Sequence, residues 1–371
     1  MSTTGSGTKA DPYVITTYDD FYTLTHNIGT ERWIKLANNI DLNYATWDAM
    51  WSGLTASQRP ACHIDLNGYG FLHIVVPSVQ IYKNNNYIDS YLFCGYEWYN
   101  GTIDVHSDPD DLTPPLTALY LGWHGSLTCS TTTYTNITFT GHLNVVPTGR
   151  NNQLINETVV FQGMFNYCQF DMDVNFSACV RAYMDNRPVT GTLQAVFRPS
   201  YNQTITDYLW VTPNQYQMMN CDVNIRVYNW CYPDEQGAVH TCYYFRNIVS
   251  GTFSIYNNRF RGSMGSRLKE SLAGWFMTSY ATSNTRDYIH NNVVSINFRN
   301  AKIPTNATTD LVSSRAGYQS PDYQNSVFNT DYLSYVRLRH RLTANGFTGC
   351  SISEITNATR LQSKGFPASD Y

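Results

Sequence analysis

Charge is scarce in this chain: 14% of its 371 residues are Asp, Glu, Lys or Arg, against roughly a quarter in ordinary soluble domains. Lysine is scarce, with 6 residues beside 18 Arg. A net charge of −4 and one short basic cluster, Arg337 to Arg341, leave no electrostatic footprint for nucleic acid. No 18-residue apolar run is present, which excludes a transmembrane helix and membrane insertion through one. The opening Met1-Ser2-Thr3-Thr4-Gly5-Ser6-Gly7 lacks the basic and apolar regions of a signal peptide, so the expectation is a soluble protein made in a cytosol. The nine Cys are odd in number and lack the paired spacing of a zinc site or disulfide framework, and read as buried free thiols. Cys62-His63 and His240-x-Cys242 are the only close Cys–His pairs, read as core Cys with surface His, so no metal is expected. Gly-x-Ser-x-Gly, Walker and dinucleotide fingerprints are missing, and no cofactor is implied.

Asn, Thr, Ser and 29 Tyr fill the place of the missing charge. That mixture suits a β-rich surface, with Asn in turns and Tyr on pleated faces. The sequons at Asn100, Asn136, Asn156, Asn202 and Asn306 reflect the abundance of Asn and Thr, not glycosylation. Strict alternation marks the strands. Cys168, Phe170, Met172 and Val174 alternate with Gln169, Asp171 and Asp173, and Cys221, Val223, Ile225 and Val227 with Asp222, Asn224 and Arg226. Leu193, Ala195 and Phe197 form a similar strand about halfway between, which suggests stacked coils of roughly 20–30 residues. An all-β solenoid is expected; a β-sandwich is the alternative, disfavoured by the length of the chain.

The first 45 residues read as a capping and assembly region. Tyr13, Val14 and Ile15 are β-type; Thr17 with Asp19 and Asp20 opens a short helix that Gly29 ends, and Trp33 to Leu42 is strand broken at Asn38-Asn39. Residues 46–300 are assigned to the solenoid, with insertions at Asp108 to Pro115, Tyr232 to Glu235 and Arg259 to Arg267. Residues 301–371 read as an extended arm and a terminal helix, with Ser351 and Glu354 as its capping box and Ile352, Ile355, Ala358 and Leu361 as its apolar stripe. Three segments together carry a resemblance: DPYVI with DDFYTL and WIKLANNIDLN, the HIDLNGYGFLHIV stretch, and the tail SISEITNATRLQSKGFP. In these the chain resembles right-handed parallel β-helix proteins of bacteriophage virions, of spike, fibre or decoration type. The resemblance implies a right-handed parallel β-helix with a short N-terminal helix cap and a C-terminal helical cap. It also implies a virion protein assembled in the host cytoplasm, a homotrimer, attachment to other virion proteins through the N-terminal region, and contact with a host surface glycan.

Two site readings follow. Phage β-helix spikes commonly cleave glycans with paired carboxylates, and Asp171 and Asp173 project from one face of one strand, with Cβ atoms about 6–7 Å apart. A solvated face, with the pair bound to Arg226 of a nearby coil, is the favoured reading. Glycan binding without cleavage needs an aromatic platform beside polar groups. Tyr96 and Trp98, on one face of an extended segment, and Trp47 with Trp51 are the candidates, with core or interface packing as their alternative role. The acidic loop Asp108, Asp110 and Asp111 lacks the Gly and terminal Glu of an EF-hand and reads as a solvated turn. The expected function is a noncatalytic virion subunit contributing to host attachment, with a tailspike-type depolymerase or a purely architectural head or tail component as alternatives.

Overall fold

In a computed structural model, the chain is described at residues 3–45, 47, 50, 54, 58–76, 91–107, 119–121, 126–129, 132–147, 157–176, 192–197, 215–229, 240–247, 252–266, 272–279, 288–290, 292–296, 312–314, 326–329 and 347–350. Parallel strands stack into a β-solenoid, and every strand pair registered among these residues is parallel.

One ladder comprises β1 (Tyr13–Ile15), β2 (Glu31–Leu36), β4 (Ala61–Asp65) and the first part of β7 (Glu97–His106) and of β10 (Thr133–Pro147). It continues through β12 (Met164–Asn166), β15 (Gln215–Met219), β18 (Thr252–Tyr256) and β21 (Tyr288–His290). A second ladder starts at β3 (Ile40–Asp41) and β5 (Gly70–Val75) and passes through the later parts of β7 and β10. From there it runs through β13 (Gln169–Phe176), β16 (Asp222–Asn229), β19 (Arg259–Ser266), β22 (Val293–Val294), β24 (Ser326–Asn329) and β25 (Phe347–Cys350). Strand β8 (Leu119–Leu121) lies along the end of β10. Further sheet is formed by β6 (Tyr91–Phe93) with β9 (Ser126–Thr128), and by β11 (Glu157–Phe161), β14 (Thr192–Phe197), β17 (His240–Asn247), β20 (Leu272–Ser279) and β23 (Val312–Ser314).

Strict alternation makes the interior a set of columns. In the first ladder Ile34, Ile64, Trp98, Tyr134, Phe165, Met218 and Ile255 are in register. In the second, Ile40, Phe71, Ile103, Phe139, Phe170, Val223, Phe260 and Val294 follow one another. All fifteen are buried, each contributing about 1.5–3 kcal/mol by the apolar area it removes from water. Rings stack where rungs place them in line: Phe139 lies 5.0 Å from Phe170 and Tyr134 5.1 Å from Phe165. Cys62, Cys94, Cys129, Cys168 and Cys221 are buried free thiols, as their positions on inward faces predict.

The corner between the two ladders repeats at one residue per rung. Asn67, Asn100, Asn136, Tyr167, Asn220 and Asn257 all have positive φ, between 54° and 62°. Asn is the side chain that tolerates this left-handed conformation best after Gly, and Asn136 donates to Asn100 across rungs at 3.1 Å. One residue on, the stack turns inward as Cys168, Cys221, Asn258 and Asn292. Asn258 and Asn292 are fully buried, with Asn258 donating from its backbone and side chain to Asn292 Oδ1 at 3.0 Å.

The coil repeat is longer than 20–30 residues. Equivalent residues are 31 apart between Ile40 and Phe71, 36 between Asn100 and Asn136, 53 between Asp171 and Asn224, and 34 between Asn258 and Asn292. The shorter estimate counted Leu193 to Phe197 as a rung of the same face, whereas that segment, β14, pairs with β11 and β17 on a different sheet.

Before β2 stands α1 (Tyr18–His26), capped by Thr17, whose Oγ1 accepts from the Asp20 amide at 3.2 Å. Phe21 buries its ring against Trp47, Phe71 and Trp98. The helix ends at His26, before Gly29, because the Arg32 guanidinium donates to the Leu24 and Ile28 carbonyls and Asn27 is already extended. At the outer edge of β1, Thr4 forms an antiparallel bridge with Val14, the Val14 amide donating to the Thr4 carbonyl at 2.9 Å. The terminal helix expected at 351–361, the cluster Arg337 to Arg341 and the loop Asp108 to Asp111 lie outside the described residues.

Candidate functional site

The second ladder has a polar outer flank whose side chains fall into register across rungs. Asp104, Thr140, Asp171, Asn224 and Arg261 form one row, and His106, His142, Asp173, Arg226 and Ser263 the next. The columns follow from alternation: each faces away from the buried Phe139, Phe170, Val223 and Phe260.

At one end of the flank, β3, β5 and the segment after β3 bring together Asp41, Tyr44, His73, Asp104 and His106. A bulge between Phe71 and Ile74 against β7 lifts His73 out of line with φ +49°. Its amide then donates to Asp104 Oδ2 at 3.1 Å and its Nδ1 meets Asp41 Oδ1 at 2.9 Å. His106 Nε2 lies 2.9 Å from the same Asp104 Oδ2, while Thr140 donates to Oδ1 at 2.7 Å. Burial alone would raise the Asp104 pKa, but the bonds from His106, Thr140 and the His73 amide outweigh it and hold it down at about 2. Asp41 is also held below the usual carboxylate range, chiefly by the Asn43 amide and then by His73. The Tyr44 ring packs 5.0 Å from His73 and 5.7 Å from His106. One rung on, Asn175 donates to Asn144 Oδ1 at 3.2 Å and contacts His142 Nε2 at 3.3 Å.

Farther along the flank, Arg226 clasps both sequence-predicted carboxylates. Its Nε donates to Asp173 Oδ1 at 2.5 Å and its Nη1 to Asp171 Oδ1 at 2.9 Å. The bond to Asp173, with the one to Asp171, raises the pKa of the guanidinium further. Both carboxylates are engaged as acceptors of hydrogen bonds from the one guanidinium. The bland reading of this pair as a charged surface bound to Arg226 is therefore the one the geometry matches. Arg261 instead grips the single carboxylate of Asp222, Nε donating to Oδ1 at 3.0 Å and Nη2 to Oδ2 at 2.8 Å.

The aromatic candidates separate. Trp98 is fully buried and donates to the Cys94 carbonyl at 2.7 Å, while Tyr96, two residues earlier, is 40% exposed. They do not share a face, because Gly95 at φ +136° and the bend through Tyr96 come before β7 begins at Glu97. Trp47 is buried too and donates to the Leu92 carbonyl at 3.0 Å, so neither indole offers a face to a sugar. Trp51 lies outside the described residues.

Sequence reasoning took His63 for a surface partner of Cys62. It is nearly buried, on the face opposite the fully buried Cys62 and Ile64. Its Nε2 lies 2.9 Å from Glu31 and its Nδ1 2.8 Å from Glu97, while Trp33 stacks on the ring at 3.8 Å and Tyr96 stands 4.8 Å away. Burial with the Asp65 and Glu97 carboxylates pushes the neighbouring Tyr99 phenol up to about 12.

A parallel β-solenoid with a hydrogen-bonding flank is the class of protein these features define. No family model matches the chain, and neither a curated protein nor a solved structure matches it. Among the described residues, no group of three or more His, Cys, Asp or Glu is arranged to hold a metal ion, and no helix is long and apolar enough to cross a membrane.

Proposed function

We propose that the chain is a spike, fibre or decoration subunit of a bacteriophage virion that contributes to host-surface attachment without catalysis. The observation that carries this reading is the flank itself: successive rungs present Asp, His, Thr, Asn and Arg in register on a rigid stack. An extended polymer of hydroxylated rings meets such a surface with many weak hydrogen bonds at once. The right-handed sense, the helical caps, a homotrimer and docking of the N-terminal region on other virion proteins belong to the same reading and rest on the resemblance of the two chain ends. Cleavage through Asp171 and Asp173 is not adopted, because Arg226 holds both carboxylates.

The test is incubation of the purified protein with polysaccharide from candidate hosts, reading both retention and new reducing ends. Retention without new ends is the expected result. Release of oligosaccharides would overturn the noncatalytic reading, and no retention across a broad panel would leave a purely architectural role.

A further inference from the structure

Three non-glycine residues with positive φ converge on one spot of the flank: Asn43 at 47°, Tyr44 at 60° and His73 at 49°. For a bulky aromatic such as Tyr this conformation costs about 1–2 kcal/mol, and strain of this kind persists where the surrounding structure over-determines it, as functional sites do. Here it has a visible product. The Tyr44 ring is brought against His73 and His106, whose own rings stand 6.4 Å apart and 28° from parallel. Each imidazole spends one nitrogen on a carboxylate, His73 through Nδ1 on Asp41 and His106 through Nε2 on Asp104, which fixes its orientation. The His73 Nε2, His106 Nδ1, Asp41 Oδ2 and Tyr44 hydroxyl have no partner among the described residues.

We infer that Tyr44, His73, His106 and Asp41 form a subsite for one neutral sugar ring of a polysaccharide, with the Tyr44 face under the ring and the unspent imidazole and carboxylate atoms on its hydroxyls. The inference rests on the host-glycan reading above and names its ligand class. Among the described residues, the carboxylates in hydrogen-bond contact with the two imidazoles are Asp41 and Asp104, both held ionised by their donors. A uronic acid, sialic acid or sulfated sugar would bring a third negative charge onto them. A neutral ring brings hydroxyl donors, which an ionised carboxylate accepts strongly. Arg226, the nearest guanidinium along the flank rows, is already taken by Asp171 and Asp173 and offers an acidic sugar no counter-charge.

The backbone supplies a clean variant. Asn adopts φ near +60° more readily than Tyr, so Tyr44→Asn removes the ring while favouring the local fold. Tyr167→Asn makes the same change at φ +56° on an exposed corner two rungs past β7 and serves as control. Binding of dextran, mannan and galactan, and of alginate and hyaluronan as acidic probes, is measured by calorimetry for the full chain and both variants. The expected result is binding of at least one neutral polymer, little of either acidic one, and a loss of about tenfold or more in Tyr44→Asn with Tyr167→Asn unchanged. Unchanged neutral binding in Tyr44→Asn, or a preference for the acidic polymers, overturns the subsite while leaving the attachment reading in place. Absence of binding to all five and to host polysaccharide overturns both.

Discussion

Single residues here are held by partners that arrive from other rungs, and His63 is the sharpest case. The His63 imidazole lies between two carboxylates, with Nε2 within hydrogen-bond distance of Glu31 and Nδ1 within hydrogen-bond distance of Glu97. His63→Ala should lose about 1–3 kcal/mol of stability, read as a lower urea midpoint, because two carboxylates are left facing each other beside the Trp33 ring. Asp104 makes a different prediction. Its pKa lies at about 2, below the ordinary 3.8, so its contribution to stability is complete above the ordinary value and disappears as the pH falls through about 2. Thermal unfolding across that window should show a shallower acid limb in Asp104→Asn than in the parent. Sequence alternation placed Asp171 and Asp173 outward beside Arg226, as the structure has them. It did not reveal Glu31–His63–Glu97, since those contacts depend on rung offsets of 32 and 34 residues that no local pattern carries. The site at Tyr44 was equally hidden, because its parts come from a turn, a bulge and a third rung. A φ > 0 Tyr leaves no mark in a sequence.

Among elements, the corner is the most regular device. Asn occupies it in five described rungs and Tyr167 in the sixth, all at similar φ. Tyr167→Asn should therefore raise stability by about 1 kcal/mol, visible as a higher unfolding midpoint. Gly141 is constrained from the other side: at φ +121° a Cβ would stand 1.8 Å from the Val105 carbonyl oxygen. Gly141→Ala should cost about 2 kcal/mol or more, checked by the same unfolding curve. Strands such as 168–174 and 221–227 were legible because period 2 is local and their inward residues are all apolar or Cys. The repeat length was misread because Leu193 to Phe197 alternates just as well, and alternation says which side of a strand is wet without saying which sheet the strand joins.

Across the molecule, each rung touches chiefly the rung before and the rung after. Stability in such a stack is a sum of neighbour terms, so damage should stay where it is made. Hydrogen exchange on His63→Ala should quicken the amides of β2, β4 and β7 and leave those of β16 and β19 at parent rates; uniform quickening would mean a single cooperative unit instead. The solenoid class could be read from composition and alternation together, since few charges and many Asn fit a surface made of turns and pleats. Nothing at that scale named the face that matters, which only the register of the second ladder defines.

A stack of parallel strands has no intrinsic reason to stop, because each exposed edge is a template for another chain running the same way. The Thr4 bridge answers this at β1. By crossing Val14 in the opposite direction it consumes the amide that an incoming copy would need and offers that copy the wrong polarity. The segment thus covers this edge at Val14, where a copy running parallel to β1 would find the amide already bonded.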